Sequence, residues 1–128
     1  MSETQNEIKI QITPTLTTHL VAVQKRSGET VPFDAKKIYD AIKKAVAVTT
    51  EISDVEVVQV TQEVLKRLDT KFADKTPSVE NIQEIVIQTL MDSRAYKTAE
   101  AYIIYRQKRA VIREAMVDAV EIIDGYVG

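Results

Sequence analysis

Hydrophobic and polar residues alternate in short stretches near the beginning of the chain. Residues 7–12 alternate with a period of two, and residues 20–24 form a second β-rich run that is followed by a third at residues 31–33. The Ser27-Gly28 dipeptide between the last two runs is typical of a hairpin turn, because glycine adopts positive φ without steric cost. Pro32 has no N–H to donate and therefore favours a short strand or a sheet edge.

After residue 33 the spacing of apolar residues changes to that of an α-helix. Asp34 is placed to cap a first helix, because its side chain can accept a hydrogen bond from a free N–H of the first turn. Ser53 and Glu56 form a capping box ahead of a second helix. The apolar faces predicted for these two helices consist of Ile38, Ala41, Ile42 and Ala45, and of Val57, Val60, Val64 and Leu68.

Two further helices are predicted in the second half of the chain. Thr76-Pro77 indicates the start of a third helix with proline in its first position, and its apolar face consists of Ile82, Ile85, Val86 and Thr89. A break at Asp92-Ser93 precedes a long helix from about residue 95 to residue 124, with Gly125 expected as its C-terminal cap. Short connections favour antiparallel neighbours. The predicted fold class is mostly α with a small β cap: a four-helix bundle covered by an N-terminal β-hairpin or three-stranded sheet.

Composition excludes several kinds of site. The chain of 128 residues contains no cysteine, so it provides no disulfide, cysteine-ligated zinc or thiol chemistry. One histidine, His19, and three glycines provide no histidine-centred metal site, Walker loop or dinucleotide fingerprint. We expect no metal site, and no membrane partner because no apolar run approaches the ~20 residues of a membrane span. The N-terminus lacks the pattern of a signal peptide, so the expected location is cytoplasmic.

Charge is distributed unevenly along the chain. The formal net charge of −2 gives no reason to expect a nucleic-acid partner. Residues 97–113 nevertheless carry a net charge of +4, residues 114–128 carry −4, and residues 23–44 carry +3. The two basic segments can converge on one anionic ligand if the last helix packs beside the hairpin. The alternative is that these lysines and arginines form a solvated helical face.

Two basic pairs in the first third of the chain point to phosphate chemistry. Lys25-Arg26 precedes the predicted turn, where strand twist can bring both side chains towards a ligand. Lys36-Lys37 lies in the first turn of a helix, where the macrodipole disfavours cations, and this suggests that an anion is expected there. In the alternative interpretation, these lysines pair with Asp34 or Asp40 on the surface.

Other candidate residues favour structural interpretations. Tyr39, Tyr96, Tyr102 and Tyr105 can stack on a base, but amphipathic packing with the hydroxyl at the rim is the commoner role of such residues. Two carboxylate pairs, Glu80 with Glu84 and Glu51 with Asp54, have no apolar setting that would perturb them for catalysis. No catalytic residue is therefore predicted.

Two groups of residues together resemble the signatures of the ATP-cone domain. The first comprises Val23, Lys25, Arg26 and Gly28, then Phe33, Asp34, Lys37 and Ile38, and then Ala41, Ile42 and Ala45. The second is the segment Tyr96-Lys97-Thr98-Ala99-Glu100-Ala101-Tyr102-Ile103 with Tyr105-Arg106 and Arg109. The resemblance covers residues 20–113, which is most of the chain.

The resemblance implies a regulatory nucleotide-binding module and not an enzyme. It implies a β-hairpin lid over four helices, with ATP or dATP as the allosteric ligand, together with Mg²⁺. The nucleotide-binding residues that it implies are Val23, Lys25, Arg26, Asp34, Lys37, Ile38, Val79, Gln83, Arg106 and Arg109. Many relatives carry threonine or histidine where Val79 and Gln83 stand, so the polar contacts at these two positions differ here.

ATP-cones are best known at the N-terminus of ribonucleotide reductases, whose overall activity they control. Residues 105–110 and 122–126 most resemble the anaerobic reductases, so the resemblance implies a reductase catalytic domain as partner, and a homo-oligomer as a further possibility. The expected organisation is an N-terminal strand and loop at 1–19, the ATP-cone at 20–113, and at 114–128 a helix end leading to a missing or separate catalytic part. The chain is thus expected to be an excised or free-standing regulatory domain. The main alternative is a degenerate cone that acts only in oligomerisation or interaction, and a small nucleotide-hydrolysing enzyme is a weaker one.

Overall fold

A computed structural model describes residues 15–127, with side chains described up to residue 112. The strand predicted at residues 7–12 lies outside the described residues. The elements are β1 (Ala22–Gln24), β2 (Thr30–Pro32), α1 (Ala35–Thr49), α2 (Asp54–Lys71), α3 (Val79–Asp92) and α4 (Tyr96–Val127). Over the described part of the chain, the fold is therefore a four-helix arrangement with a small two-stranded sheet, which confirms the predicted fold class.

The two strands form an antiparallel hairpin in which Val23 pairs with Val31. Within the turn, the N–H of Lys25 donates to the carbonyl of Glu29, and the N–H of Gly28 donates to the carbonyl of Lys25, both at 2.8 Å. Gly28 has a φ of 94°, a conformation that residues with a Cβ rarely adopt. The turn predicted at Ser27-Gly28 is confirmed.

Side-chain caps start the first two helices as predicted. The Asp34 carboxylate accepts a hydrogen bond from the N–H of Lys36 at 3.0 Å and caps α1. Ser53 and Glu56 form a reciprocal capping box at α2, in which each side chain accepts from the backbone N–H of the other residue. These caps satisfy N–H groups that have no partner within the helix.

The third helix begins later than predicted. Its cap is Ser78, whose hydroxyl accepts from the N–H of Asn81 at 3.0 Å, and Asn81 completes a capping box. Pro77 is therefore not the first helical residue, and the prediction from Thr76-Pro77 was wrong at this position. The carbonyl of Pro77 instead accepts a hydrogen bond from the N–H of Gln24 at 2.9 Å, which ties the loop to β1.

The fourth helix is capped by a residue from elsewhere in the chain. The Glu51 carboxylate, in the loop between α1 and α2, accepts from the N–H groups of Lys97 and Thr98 and from the Thr98 hydroxyl. At its other end α4 continues through Gly125 to Val127, so the predicted C-terminal cap was wrong. A single glycine costs only about 1 kcal/mol in a helix interior, which is too little to end a long helix by itself.

Each helix packs against two neighbours, in the order α1, α2, α3, α4 and back to α1. Contacts along α4 show that it runs antiparallel to α1, because Thr98 meets Thr49 whereas the later Tyr105 meets Lys44. The core contains large side chains that are fully buried: Ile42, Val57, Val64, Leu65, Leu68, Val86 and Leu90. The apolar faces predicted for α1 to α3 supply most of this core.

Residues 15–20 lie across α2 before the hairpin begins. The Gln62 amide accepts from the N–H of Thr17 at 3.2 Å and donates to its carbonyl at 2.9 Å. Asp69 accepts from the hydroxyl of Thr18 at 2.6 Å. Because two side chains of α2 hold this segment, the hairpin enters the fold from a fixed position.

Candidate functional site

The β-hairpin is attached to the beginning of α3. The hydrogen bond from Gln24 to Pro77 is accompanied by a parallel β-bridge between Gln24 and Ser78. The N–H of Phe33 donates to the carbonyl of Val21 at 3.0 Å, which holds the start of α1 at the base of the same hairpin. The hairpin therefore connects the N-terminal ends of two helices, where backbone N–H groups and the helix dipole favour anions.

Lys25 and Arg26 are both exposed in the hairpin turn. The Arg26 Nε donates to the Glu80 carboxylate in the first turn of α3, at 3.2 Å. Among the described residues, Lys25 pairs with no carboxylate. In the turn, Arg26 is thus already paired with α3, whereas Lys25 is free of ion pairs with the described residues and can bind a ligand.

At the start of α1, one of two adjacent lysines is engaged. The Lys36 ammonium pairs with Asp40 at 3.0 Å, as the alternative interpretation of this pair expects. Lys37 is exposed and forms no ion pair within the described part of the chain. The Asp34 carboxylate is occupied as the cap of α1. Lys37 is therefore the cation of this helix end that remains for an anionic ligand.

Arg106 faces α3 from the fourth helix. Its Nη1 donates to the Gln83 side-chain oxygen at 3.5 Å, at the long limit of a hydrogen bond. Val79, one turn earlier on α3, is half-buried. Glu80 and Gln83 are three residues apart and lie on one face of the helix. Arg26 from the hairpin and Arg106 from α4 consequently converge on the same face of α3.

Arg109 lies with a different group of residues. Its guanidinium carbon lies 5.9 Å from the centre of the Tyr105 ring, and the Lys44 ammonium of α1 lies 5.6 Å from the same ring. The Lys44 ammonium also donates to the Tyr105 hydroxyl at 3.4 Å. Cations over an aromatic ring are attracted by its quadrupole. The structure therefore places Arg106 towards α3 and Arg109 in the cluster shared with α1.

The apolar candidates belong mainly to the core. Ile38 is 7% exposed and packs in the core, and its contact with a nucleotide stays a prediction. Val23 is half-buried on β1 and packs against the core. Tyr39 and Tyr102 are buried, which confirms the packing interpretation for these two tyrosines. Burial raises the pKa of Tyr102 to about 12, against an opposing effect of the Arg106 charge.

Two grooves occur elsewhere on the described surface. The larger, of about 720 Å³, is lined by residues 17–19 and by α2 between Gln59 and Thr70. The smaller, of about 200 Å³, lies between residues 19–22 and the segment 72–76. None of the ten predicted nucleotide-binding residues lines either groove. The larger groove is therefore not the candidate site. The candidate site is the surface around the start of α3, because two of the predicted basic residues converge there.

Within the described residues, no group of three histidine, cysteine or carboxylate side chains is placed to hold a metal ion. No described helix is long and apolar enough to cross a membrane.

Three residues with specific contacts were not predicted as functional. Glu80 was considered only as half of a carboxylate pair, Glu51 likewise, and Lys44 only as part of a basic segment. Their partners lie 54, 47 and 61 residues away in the chain. Such contacts carry no local pattern that could have identified them.

Comparisons with known proteins identify the family of the chain. The family described as "ATP cone domain" matches residues 21–111. The chain is 39% identical over 97 residues to a vitamin B12-dependent ribonucleoside-diphosphate reductase of Thermoplasma acidophilum, with 72% of this chain and 12% of that protein covered. It is 35% identical over 107 residues to a ribonucleoside-diphosphate reductase subunit alpha of Chlamydia muridarum, with 77% and 10% covered. An anaerobic ribonucleoside-triphosphate reductase of Haemophilus influenzae is 33% identical over 105 residues, with 82% and 15% covered. The chain thus spans 10–15% of the length of these three relatives.

Proposed function

The chain belongs to the ATP-cone domain family, and from that premise we propose that it binds ATP or dATP as an allosteric effector. The ligand lies beside the hairpin, with its triphosphate among Lys25, Arg26, Lys37 and Arg106. The effector controls the overall activity of a ribonucleotide reductase. The domain itself performs no catalysis.

The convergence of two arginines on one face of α3 carries this proposal. Arg26 reaches Glu80 from the hairpin, and Arg106 reaches Gln83 from α4. A triphosphate placed there offers its oxygens to cations from two elements at once. Each charge-assisted hydrogen bond stabilises the complex by about 1.5–3 kcal/mol when shielded from water. Cations therefore replace the glycine-rich loop that the composition excludes.

Discrimination between the two effectors must arise from a small chemical difference. ATP and dATP differ by one hydroxyl, and the loss of its hydrogen bonds is worth about 1–3 kcal/mol. The output is a coupling of about 1–3 kcal/mol to contacts with the rest of a reductase or with another copy of the domain. The hairpin and α4 transmit this coupling, because both contact the same face of α3.

The remaining features of the proposal concern the larger protein. Residues 20–113 form the nucleotide-binding unit, and residues 114–128 lead towards a reductase catalytic part. The relatives carry different reductase names, so the assignment to an anaerobic reductase rests on the sequence at residues 105–110 and 122–126. Mg²⁺ accompanies the nucleotide, bound by the phosphates and water, and the protein functions in the cytoplasm.

Calorimetric titration with ATP and dATP tests the proposal. Lys25→Ala and Lys37→Ala should each weaken binding by about tenfold or more, because each removes one charge-assisted contact. Lys66→Ala, an exposed lysine in the larger groove, is the matched control and should leave the affinity unchanged. Absence of binding at millimolar nucleotide contradicts the proposal. If the oligomeric state is also unaffected by nucleotide, the interaction-module alternative is favoured.

A further inference from the structure

Glu80 occupies a position where the fold favours an anion. It is the second residue of α3, after the cap at Ser78, and it is the acidic residue of the first turn. The positive end of the helix dipole stabilises a carboxylate there, as it would stabilise a phosphate. The Glu80 side chain is 47% exposed, so an incoming ligand can reach and replace it.

The partner of this carboxylate is one of the proposed phosphate ligands. Arg26 donates to Glu80 at 3.2 Å, and its own side chain is 73% exposed. Of the ion pairs among the described residues, this is the only one that contains a predicted nucleotide-binding residue. Gln83, the next polar residue on this face of α3, engages Arg106 through a neutral amide that places no negative charge beside a phosphate.

We propose that Glu80 is an internal competitor for Arg26, whose carboxylate a nucleotide phosphate must replace. Glu80 thereby raises the nucleotide concentration at which the site is filled, and it determines specificity for the number of phosphates. This inference rests on the proposed function, because it takes a phosphate-bearing ligand as the group that replaces Glu80.

The competition has a defined dependence on ligand charge. A triphosphate near Glu80 experiences both the loss of the Arg26 pair and repulsion from the carboxylate. A nucleoside without phosphates experiences neither effect. Because the pair is exposed, we expect a change in affinity of about two- to fivefold when Glu80 becomes neutral. The effect should decrease from ATP to AMP and vanish with adenosine.

The experiment compares Glu80→Gln with the matched control Glu84→Gln. Glu84 lies one turn later on α3, is exposed, and forms no ion pair among the described residues. Both substitutions remove one negative charge from the same helix, and the two sites differ in the contact with Arg26 and in distance from the helix N-terminus. Affinities for ATP, AMP, adenosine and inorganic tripolyphosphate are measured by calorimetry, and circular dichroism checks that each variant is folded.

Tighter binding of ATP and tripolyphosphate by Glu80→Gln alone supports the inference. In the Arg26→Gln background the gain from the same substitution should be smaller, because only the repulsion between the carboxylate and the phosphates remains. Equal gains in Glu80→Gln and Glu84→Gln would indicate unspecific electrostatics and would overturn it. If the parent binds ATP and Glu80→Gln changes nothing, the inference fails while the proposed function stands. If tripolyphosphate binds but ATP does not, and Glu80→Gln binds tripolyphosphate more tightly than the parent does, the proposed function fails but the competition of Glu80 for Arg26 is supported. A parent that binds neither overturns both.

Discussion

The carboxylate of Glu51 caps the first turn of α4 by accepting hydrogen bonds from both the N–H and the hydroxyl of Thr98, at 2.7 and 2.8 Å. Thr98 is fully buried, and its hydroxyl also lies 3.0 Å from that of Thr49 at the end of α1. Glu51, in the loop between α1 and α2, thus caps α4 in place of a residue from the segment just before the helix. The contact fixes where α4 begins relative to α1.

We predict that Glu51→Gln destabilises the protein by about 0.5–1 kcal/mol at neutral pH, because the amide keeps one acceptor oxygen but loses the second acceptor and the negative charge at the helix N-terminus. Urea unfolding measures the difference, and Glu100→Gln, at an exposed position on α4, is the control. A Glu51→Gln protein as stable as the parent would show that this cap contributes little to folding.

The same contact predicts a pH dependence. Burial acts to raise the pKa of Glu51, but hydrogen bonds from the Thr98 N–H and hydroxyl and from Lys97 outweigh it, so the pKa lies below its ordinary value. A lowered pKa in the folded state means that the stabilisation is present above the unfolded glutamate pKa of about 4.3 and is lost as the pH falls through the folded value. The stability difference between parent and Glu51→Gln should therefore shrink in acid. A difference that stays constant down to about pH 3 would contradict the assignment.

The two arginines of the second signature should differ in their effect on nucleotide binding. Arg106 faces Gln83, whereas Arg109 lies over Tyr105. We expect Arg106→Ala to weaken ATP binding by about tenfold, and Arg109→Ala to change it by less than about twofold, as for an exposed cation away from the phosphates. Calorimetry on both variants decides the matter. The reverse order would move the phosphates to the α1 side of α4.

Gly28→Ala should destabilise the hairpin turn by about 1–2 kcal/mol, because an alanine at a φ of 94° meets its own backbone. Apart from residues 27–29 themselves, a Cβ at this position would meet no atom of the described residues within 4 Å, so the cost comes from the local backbone conformation and not from crowding by distant residues. Gly28→Asn should cost less, since asparagine tolerates positive φ better than alanine does. Thermal unfolding of the two variants provides the measurement, and an alanine variant equal to the parent would refute the reasoning.

Tyr102 should ionise well above the usual range of a tyrosine hydroxyl. Burial raises the pKa of its hydroxyl to about 12, whereas an unfolded tyrosine ionises near pH 10. Because the folded state retains the proton, stability decreases as the pH rises from about 10 towards 12. Tyrosinate absorbance should show a late step that Tyr102→Phe removes and that Tyr96→Phe, at a residue 54% exposed, leaves in place. A late step that survives in Tyr102→Phe would assign it to another residue.

Local signals predicted the helices and the hairpin well. The caps at Asp34 and Ser53 are formed within four residues, so their residue types and spacing are sufficient to identify them. The start of α3 was displaced because Pro77 uses its carbonyl for β1, a contact across 53 residues that no local pattern shows. Gly125 was wrongly predicted to end α4. One glycine disfavours a helix by only about 1 kcal/mol, and the helix continues past it.

The candidate site was only partly predictable. Charge segregation and the family resemblance identified the cations, and the structure brings Arg26 and Arg106 to one face of α3. The separation of Arg109 from Arg106 depends on helix phase and on which neighbour lies on each side, and sequence spacing alone does not give that. The contact between Glu80 and Arg26 was not predicted either, because the two residues are 54 positions apart in the sequence.

The length of α4 gives the fold a mechanical property. With its 32 residues, α4 extends about 48 Å, whereas the 15 residues of α1 extend about 22 Å. Arg106 lies about 15 Å from the capped end of this rod, so a sideways displacement of ~1 Å at Arg106 becomes ~3 Å at the far end if α4 pivots at Glu51. The threefold ratio follows from the length of α4, and contacts with α1 at Thr98 and Tyr105 hold the helix near its capped end together with Glu51.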